Sequence, residues 1–161
     1  MTTSSKQLLL VAHAPSENTQ RLISEVVSQC RAFITEQQLS NVEIHHQPAL
    51  QAQPHDVLNA EAVLLFTPEN LGYMSGGMKD FFDRCYYPVL EEKQGTPVAA
   101  IIRAGHDGTG TRRGLETITT GLKWRWVQPP LICQGAWQED FIDQSVELAS
   151  GMLYALSEGI I

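Results

Sequence analysis

Three short polar segments of the chain carry residues whose chemistry suits the binding of a small ligand. The first, residues 13–19, reads HAPSENT and places Ser16, Asn18 and Thr19 at the start of a stretch with helical spacing. Free N–H groups and the positive dipole end at a helix start favour an anion, and these three side chains can add donors to a phosphate. The same residue types also cap helices routinely, so simple capping is the alternative interpretation.

The second segment, residues 67–77, reads TPENLGYMSGG and is too long for an ordinary strand-to-helix connection. It combines the backbone amides of a loop with the apolar side chains of Leu71, Tyr73 and Met74. This combination suits a flat heteroaromatic ligand with hydrogen-bonding edges. A surface loop that carries a hydrophobic plug is the alternative interpretation.

The third segment, residues 104–114, reads AGHDGTGTRRG and contains a G-x-G-x-x-x-G run before a helical stretch. A dinucleotide-binding fingerprint is a weak interpretation, because that motif belongs to the first strand-to-helix turn of its fold. We interpret the segment as a flexible, glycine-rich wall of the same pocket. His106 is a candidate proton donor or ligand contact, with an ordinary exposed loop histidine as the alternative.

Five apolar runs predict the strands that must position these segments. Four of them are almost continuously apolar, which is typical of strands buried on both faces of a parallel sheet, whereas the second alternates like an edge strand. The runs cover Gln7–Ala12, Val42–His46, Ala62–Thr67, Val98–Arg103 and Val127–Cys133.

Stretches with helical spacing alternate with the strands, which predicts right-handed crossovers and a three-layer α/β/α sandwich with a five-stranded parallel sheet. The helices are predicted over Thr19–Gln38, His55–Asn59, Gly77–Leu90 (helical as far as Pro88), Thr111–Leu122 and Glu139–Ser157. The polar segments follow the first, third and fourth strands. Ligands of such sheets bind at the carboxyl ends of the strands, and the strand order 2-1-3-4-5 makes these three strands neighbours.

Composition limits the class of protein. A chain of 161 residues with 43% hydrophobic residues predicts one globular domain, residues 1–161. Acidic residues outnumber basic ones by 18 to 11, and the charge of −7 argues against partners that are nucleic acids or anionic membranes. Cys30, Cys85 and Cys133 are scattered and odd in number, which indicates reduced thiols in a cytoplasmic protein. The apolar run near the N-terminus is too short to span a membrane.

Several other classes of site find no support in the sequence. It has no G-x-S-x-G nucleophile elbow, and its five histidines lack the spacing of metal ligands, so we expect no metal. A phosphorelay receiver is excluded because His13 and Thr67 stand where acidic residues are needed. A basic, tryptophan-containing stretch over residues 112–126 is either a solvated face or a contact for the phosphates of a nicotinamide dinucleotide.

The three segments together resemble those of the flavodoxin-like superfamily, in particular its NAD(P)H-dependent FMN reductase and quinone reductase branch. The most specific part is Thr67–Arg84, TPENLGYMSGGMKDFFDR, which is similar to the T-P-x-x-x-G-x-x-S-G-x-M-K-x-F-x-D-R signature of that branch. Residues 13–19 resemble the phosphate loop S-x-S-G-N-T, with Ala14 in place of a hydroxyl residue and Glu17 in place of glycine. The AGHDG sequence resembles the third flavin-contacting loop, and the resemblance spans essentially the whole chain.

The resemblance implies FMN as cofactor and NAD(P)H as co-substrate. It places the FMN phosphate on the first segment and the isoalloxazine between the second and third, with backbone amides of residues 69–72 on the pyrimidine edge and Gly105–His106 beside the rings. The implied cofactor-binding residues are Ser16, Asn18, Thr19, Pro68, Glu69, Asn70, Leu71, Gly72, Tyr73, Gly105 and His106.

The implied activity is hydride transfer from NAD(P)H through flavin N5 to quinones, flavins or similar small-molecule acceptors. No side chain then needs to act as an acid or base. Two alternatives stay open at this point: an electron carrier that does not turn over NAD(P)H, and a flavodoxin fold without cofactor. The charge of −7 is mild for a dedicated carrier and favours the reductase. Analogy with relatives suggests a homodimer.

Overall fold

Strands and helices alternate along residues 5–161, which are the residues that the computed structural model describes. The strands are β1 (Lys6–Ala12), β2 (Val42–Pro48), β3 (Ala62–Asn70), β4 (Tyr73–Met74), β5 (Pro97–Ala104), β6 (Arg125–Trp126) and β7 (Leu131–Gln134). The helices are α1 (Glu17–Glu36), α2 (Pro54–Leu58), α3 (Gly76–Val89), α4 (Thr109–Gly121) and α5 (Asp140–Ser157). None of these helices is long and apolar enough to cross a membrane.

The sheet has the predicted order. Its strands run β2-β1-β3-β5, followed by β6 and β7, which pair with different halves of β5. All of these pairings are parallel, and only the short β4 is antiparallel, against the end of β3. Counting β6 and β7 as one position confirms the predicted five-stranded arrangement 2-1-3-4-5, with β2 at an edge.

The fifth strand was predicted as one continuous run over Val127–Cys133, and this is wrong. β6 pairs with the start of β5, β7 pairs with its end, and the residues between them leave the ladder. Pro129 and Pro130 lie in that gap. Because proline has no N–H to donate, two in succession interrupt the hydrogen-bonded edge.

Helices cover both faces of the sheet, so the predicted three-layer sandwich is confirmed. Alternate residues of β1 point to opposite faces, and Leu8, Leu9, Leu10 and Val11 are all fully buried. One core lies between the sheet and helices α1 and α5, and the other between the sheet and helices α2, α3 and α4. The continuous apolar runs are therefore explained by burial on both sides.

Helix boundaries differ by one or two residues from their predicted positions, and α1 is displaced by two residues at both ends, Glu17–Glu36 instead of Thr19–Gln38. Helix α4 begins at Thr109 instead of Thr111, so that Gly110 as well as Gly114 lies inside the helix. Gly108 precedes it with a φ of 72°, and the Asp107 carboxylate accepts a hydrogen bond from the Thr109 amide at 3.0 Å. Local hydrogen bonds from a backbone amide to an aspartate two residues earlier are typical of the turns that precede helices.

Candidate functional site

The carboxyl ends of β1, β3 and β5 lie side by side, because these three strands are neighbours in the sheet. The segments that follow them are the three polar segments singled out from the sequence. We refer to them as loop 1 (residues 13–16), loop 3 (residues 67–75) and loop 4 (residues 105–108). Their shared edge is the candidate site.

Loop 1 ends in a capping box at the start of α1. The Thr19 amide donates to Ser16 Oγ at 3.2 Å, and the Ser16 amide donates to Thr19 Oγ1 at 3.0 Å. The two hydroxyls also bond each other at 2.8 Å. Capping therefore occupies the two hydroxyl side chains that had been considered as phosphate donors, and Thr19 is buried.

The donors that remain free for an anion at this helix start are backbone amides. The first N–H groups of α1, those of Glu17 and Asn18, have no acceptor within the helix. The Asn18 side chain is exposed and adds a potential donor. An anion can bind here, although the carboxylate of Glu17 in the same turn opposes it.

His13 is a residue that the sequence analysis did not select. It directly follows β1, and its ring lies over the first turn of α3. A methyl group built on Gly77 would sit 2.8 Å from His13 Cδ2 and 2.9 Å from Cγ. The Nδ1 atom of His13 is buried and has no hydrogen-bond partner among the described residues. A buried polar atom without a partner at the mouth of a sheet is a place for a polar group of a ligand or an ordered water.

Loop 3 is a β-hairpin and not an irregular loop. β3 continues through Pro68 to Asn70, turns at Leu71 and Gly72, and returns as β4. Both turn residues have positive φ, 53° and 77°, as in the type I′ turns that join two-residue hairpins. The residues that flank such a turn exchange both backbone hydrogen bonds, so the Asn70 amide is used within the hairpin.

The base of the hairpin is fixed by two buried hydroxyl residues. Thr67 Oγ1 accepts a hydrogen bond from the Ser75 amide at 3.0 Å and donates to Ser75 Oγ at 3.3 Å. Ser75 Oγ in turn accepts from the Met78 amide at 3.2 Å and so caps α3. Farther along the signature, Arg84 donates to the Ala52 carbonyl at 2.6 Å. Thr67 and Ser75 thus join the hairpin to α3, and Arg84 joins α3 to the segment before α2.

The hairpin packs directly on α4 through two glycines. A methyl group on Gly110 would overlap the carbonyl oxygen of Gly72, and one on Gly114 would overlap the ring of Tyr73. The interpretation of residues 104–114 as a flexible glycine-rich wall is therefore wrong at these positions. The glycines are helical and allow close approach between hairpin and helix.

Only residues 105–108 of the third segment form a loop. Gly105, His106 and Asp107 are exposed, and His106 is free to contact a ligand. Hydrogen bonds from the backbone and side chain of Thr109 lower the pKa of Asp107. Asp107 thus stays ionised at neutral pH and stabilises the end of the loop.

Arg103 is a second residue that the sequence analysis did not select. It lies at the end of β5, where its guanidinium stands over the rings of Phe141, at 5.1 Å, and Trp137, at 5.9 Å. It donates to the carbonyl oxygens of Ala104 at 2.9 Å and Cys133 at 3.1 Å. These contacts tie the base of loop 4 to β7 and α5.

The structure therefore places every residue proposed for cofactor binding on the loops at this edge, in loop 1 and the start of α1, in the hairpin, or in loop 4. Their contacts with a ligand stay predictions. The edge fits a phosphorylated heteroaromatic ligand, because it offers free amides at α1, an unpartnered nitrogen on His13 and an exposed hairpin tip.

Comparison with known families decides the class of protein. Residues 4–134 match the model of the NADPH-dependent FMN reductase family, which is most of the chain. The chain belongs to this family. Membership confirms the predicted branch and FMN as its cofactor, and it makes this family member an FMN-binding oxidoreductase. No curated protein sequence matches the chain.

Solved structures agree with the fold of this FMN reductase family member. A flavodoxin from the domain Archaea superposes with a TM-score of 0.74 at 14% identity, over 93% of this chain and 98% of that one. A flavodoxin, WrbA-like protein from Agrobacterium tumefaciens gives 0.71 at 14% identity, over 96% and 99%. A cysteine-to-serine mutant of flavodoxin from Pseudomonas aeruginosa gives 0.68 at 15% identity, over 93% and 98%. The flavodoxin-like fold is therefore confirmed.

Proposed function

We propose that this protein is an FMN-dependent NAD(P)H oxidoreductase that reduces quinones, free flavins or similar small acceptors. The observation that carries the proposal is the Thr67–Arg84 unit. Its sequence resembles the signature of the reductase branch, and it folds as a hairpin followed by α3 at the carboxyl edge, beside loops 1 and 4. Membership of the reductase family supports the same activity.

The residues of the site hold the cofactor in this proposal. The amides of Glu17 and Asn18 would hold the FMN phosphate, because the side chains of Ser16 and Thr19 cap α1. The pyrimidine edge takes amides of the hairpin tip, and the exposed Gly105–His106 pair borders the rings. Bound FMN would supply the redox chemistry, which is hydride transfer from NAD(P)H and electron transfer to the acceptor.

The exposure of the hairpin tip fits a reductase that exchanges two substrates. Leu71 is fully exposed and Tyr73 is 38% exposed. No described segment covers Leu71, and α4 covers Tyr73 on one side only, at Gly114, so a nicotinamide and then an acceptor can reach the rings in turn from solvent. This open edge is the reason for proposing several acceptor types rather than one closely fitted substrate.

Two measurements on the purified protein test the proposal. FMN is titrated by the quenching of its fluorescence and by the rise in melting temperature that a ligand of the native state must produce. The FMN-loaded protein is then mixed anaerobically with NADPH or NADH, and flavin bleaching is followed before a naphthoquinone is added. We expect rapid bleaching and turnover with the quinone. FMN binding without bleaching by either nucleotide would overturn the reductase assignment.

An electron carrier is the second candidate, and the likeness to flavodoxin structures favours it. A carrier would accept electrons from a reductase protein but not directly from NAD(P)H. The same anaerobic experiment therefore separates the two, with a flavodoxin reductase and NADPH added as a second arm. Bleaching only in that arm identifies a carrier, and bleaching with NADPH alone identifies a reductase.

Partner and location are part of the proposal. The acceptor is a small molecule, neither nucleic acid nor membrane is a partner, and two copies of the chain form a dimer. Sedimentation experiments at several protein concentrations measure the equilibrium between monomer and dimer directly. A cytoplasmic location is consistent with three free, buried cysteines.

A further inference from the structure

A groove that begins at loop 1 runs between α1 and the edge strand β2. Its volume is about 680 Å³, within the range of cavities that hold small organic ligands. It starts at Ala14, in loop 1, and follows α1 for about three turns to Arg31. We call it the α1–β2 groove.

The walls of the groove suit a flat apolar body. Its apolar lining comes from Ile23 and Val27 on α1 and from Pro48 on β2. Ser24 and Ser28 add hydroxyl groups along the helix side. An elongated slot between a helix and a strand accepts a flat molecule that lies along the strand.

The far end of the groove is positively charged. Arg31 lines it, and no acidic side chain of residues 5–161 lies within ion-pair distance of this guanidinium. His46 lines it too, and burial, followed by the nearby His45 and Arg31, lowers its pKa. The imidazole is therefore neutral at pH 7, which leaves Arg31 as the one fixed charge of the lining.

The groove differs from the rest of the molecule in its charge. The chain has seven more acidic than basic residues, yet none of the residues that line this groove is acidic. A second groove of similar volume, between α5 and the β6–β7 edge, has the opposite character, since its charged lining residue is Glu147. An unpaired arginine beside an apolar floor is the pattern that binds a carboxylate attached to a hydrophobic body.

We propose that the α1–β2 groove binds a small organic monoanion with a flat apolar body, in the manner of an aromatic carboxylate. The carboxylate pairs with Arg31, and the body lies against Ile23, Val27 and Pro48. Apart from Ala14 at its start, this site lies outside the flavin loops, and it does not depend on the proposed redox activity.

The test uses 2-naphthoate as the probe and naphthalene-2-carboxamide as its uncharged equivalent. Each is titrated into ¹⁵N-labelled full-length protein, and shifts of the backbone amides are followed. We expect saturable shifts along residues 20–31 and 46–48 with naphthoate, and affinity about tenfold lower with the amide, the cost of losing a charge-assisted hydrogen bond. Arg31→Gln should weaken the binding of naphthoate by about tenfold and leave the affinity for naphthalene-2-carboxamide unchanged.

Two control variants make the result specific. Arg21→Gln removes a charge from a different face of the same helix, where Arg21 pairs with Glu139, and should not change naphthoate binding. Ser28→Trp fills the groove and should abolish binding of both probes, whereas Gln29→Trp, one residue away, should not.

Three results would overturn the proposal. They are naphthoate shifts confined to loops 1, 3 and 4 or to the α5 groove, equal affinity of wild type and Arg31→Gln, and groove shifts that appear on concentrating the protein without probe. The last result would identify a second copy of the chain as the occupant.

Discussion

Leu71 combines two unfavourable features at the tip of the hairpin. Its side chain is fully exposed, and its φ of 53° is in the left-handed region that costs a leucine about 1 kcal/mol. Asparagine is the residue that type I′ turns prefer at this position. A leucine kept here at the expense of stability indicates contact with something absent from the free chain, which is the role of an apolar tip at a ligand site.

Leu71→Asn should therefore stabilise the free protein. We expect a gain of about 1 kcal/mol, or a melting temperature higher by about 2–4 °C, in the absence of FMN. The matched control is Leu50→Asn, since Leu50 is 59% exposed and has no positive φ. If both variants melt at the same temperature, the turn is not strained in the way described.

Gly76 and Gly77 are neighbours in the first turn of α3 with different surroundings. A methyl group on Gly76 meets nothing within 4 Å, whereas one on Gly77 meets the His13 ring. Gly77→Ala should destabilise the protein by about 1–3 kcal/mol through overpacking. Gly76→Ala should be neutral or stabilise by about 0.5 kcal/mol, because alanine favours a helix. Urea denaturation of the two variants measures the difference, and equal midpoints would contradict the packing of His13.

At the scale of single residues, some members of the candidate site could be predicted from the sequence and others could not. The polar residues that follow the strands could be selected from the sequence, because ligand sites lie at that edge in any doubly wound sheet. The alternative of capping could be stated for Ser16 and Thr19 but not decided. His13 and Arg103 could not be selected, since the orphaned nitrogen of one and the ring contacts of the other depend on which elements pack together.

At the scale of elements, the contact of the hairpin with α4 sets the width of the site. Gly110 is helical and has the Gly72 carbonyl oxygen against it, so no side chain fits between the two elements. Gly110→Ala must push the hairpin tip away from α4. We expect lower stability and an FMN dissociation constant raised by at least about tenfold, because the amides of the tip move with it.

The control for this prediction is a helical glycine without neighbours. Gly151 in α5 has open space around its Cα, so Gly151→Ala should stabilise by up to about 1 kcal/mol and leave FMN affinity unchanged. FMN fluorescence titration and thermal melting of both variants provide the readouts. Unchanged FMN affinity in Gly110→Ala would show that the hairpin tip does not contact the cofactor.

Elements buried on both faces were predictable, and elements defined by local backbone chemistry were less so. The apolar runs of β1, β3 and β5 admit no other interpretation once helices alternate with them. The hairpin was missed because Leu-Gly lacks the usual asparagine, although Gly72 supplies half of the turn signal. The break between β6 and β7 was missed because the two prolines were included in an apolar run instead of being treated as the end of a ladder.

At the scale of the whole molecule, three thiols distributed over both cores are held protonated by burial. Desolvation raises the pKa of Cys30 to about 12 and those of Cys85 and Cys133 to about 11. In the unfolded chain a thiol titrates near pH 8.5. Unfolding above that pH therefore releases protons that the native protein retains, and stability must fall as the pH rises.

This linkage predicts a pH dependence that one substitution can isolate. Between the unfolded and folded pKa values each buried thiol lowers the unfolding free energy by about 1.4 kcal/mol per pH unit, and at pH 7 and below the thiols contribute almost no slope. Other groups titrate in the same range, so wild type and Cys30→Ala are compared by urea denaturation at pH 8, 9 and 10. The variant loses some stability at every pH through the cavity it creates. Between pH 9 and 10 its free energy of unfolding should nevertheless fall less than that of wild type, and the difference should be about the contribution of one buried thiol. Parallel curves would mean that Cys30 ionises in the native state as readily as in the unfolded chain, which its complete burial between α1 and the sheet makes unfavourable.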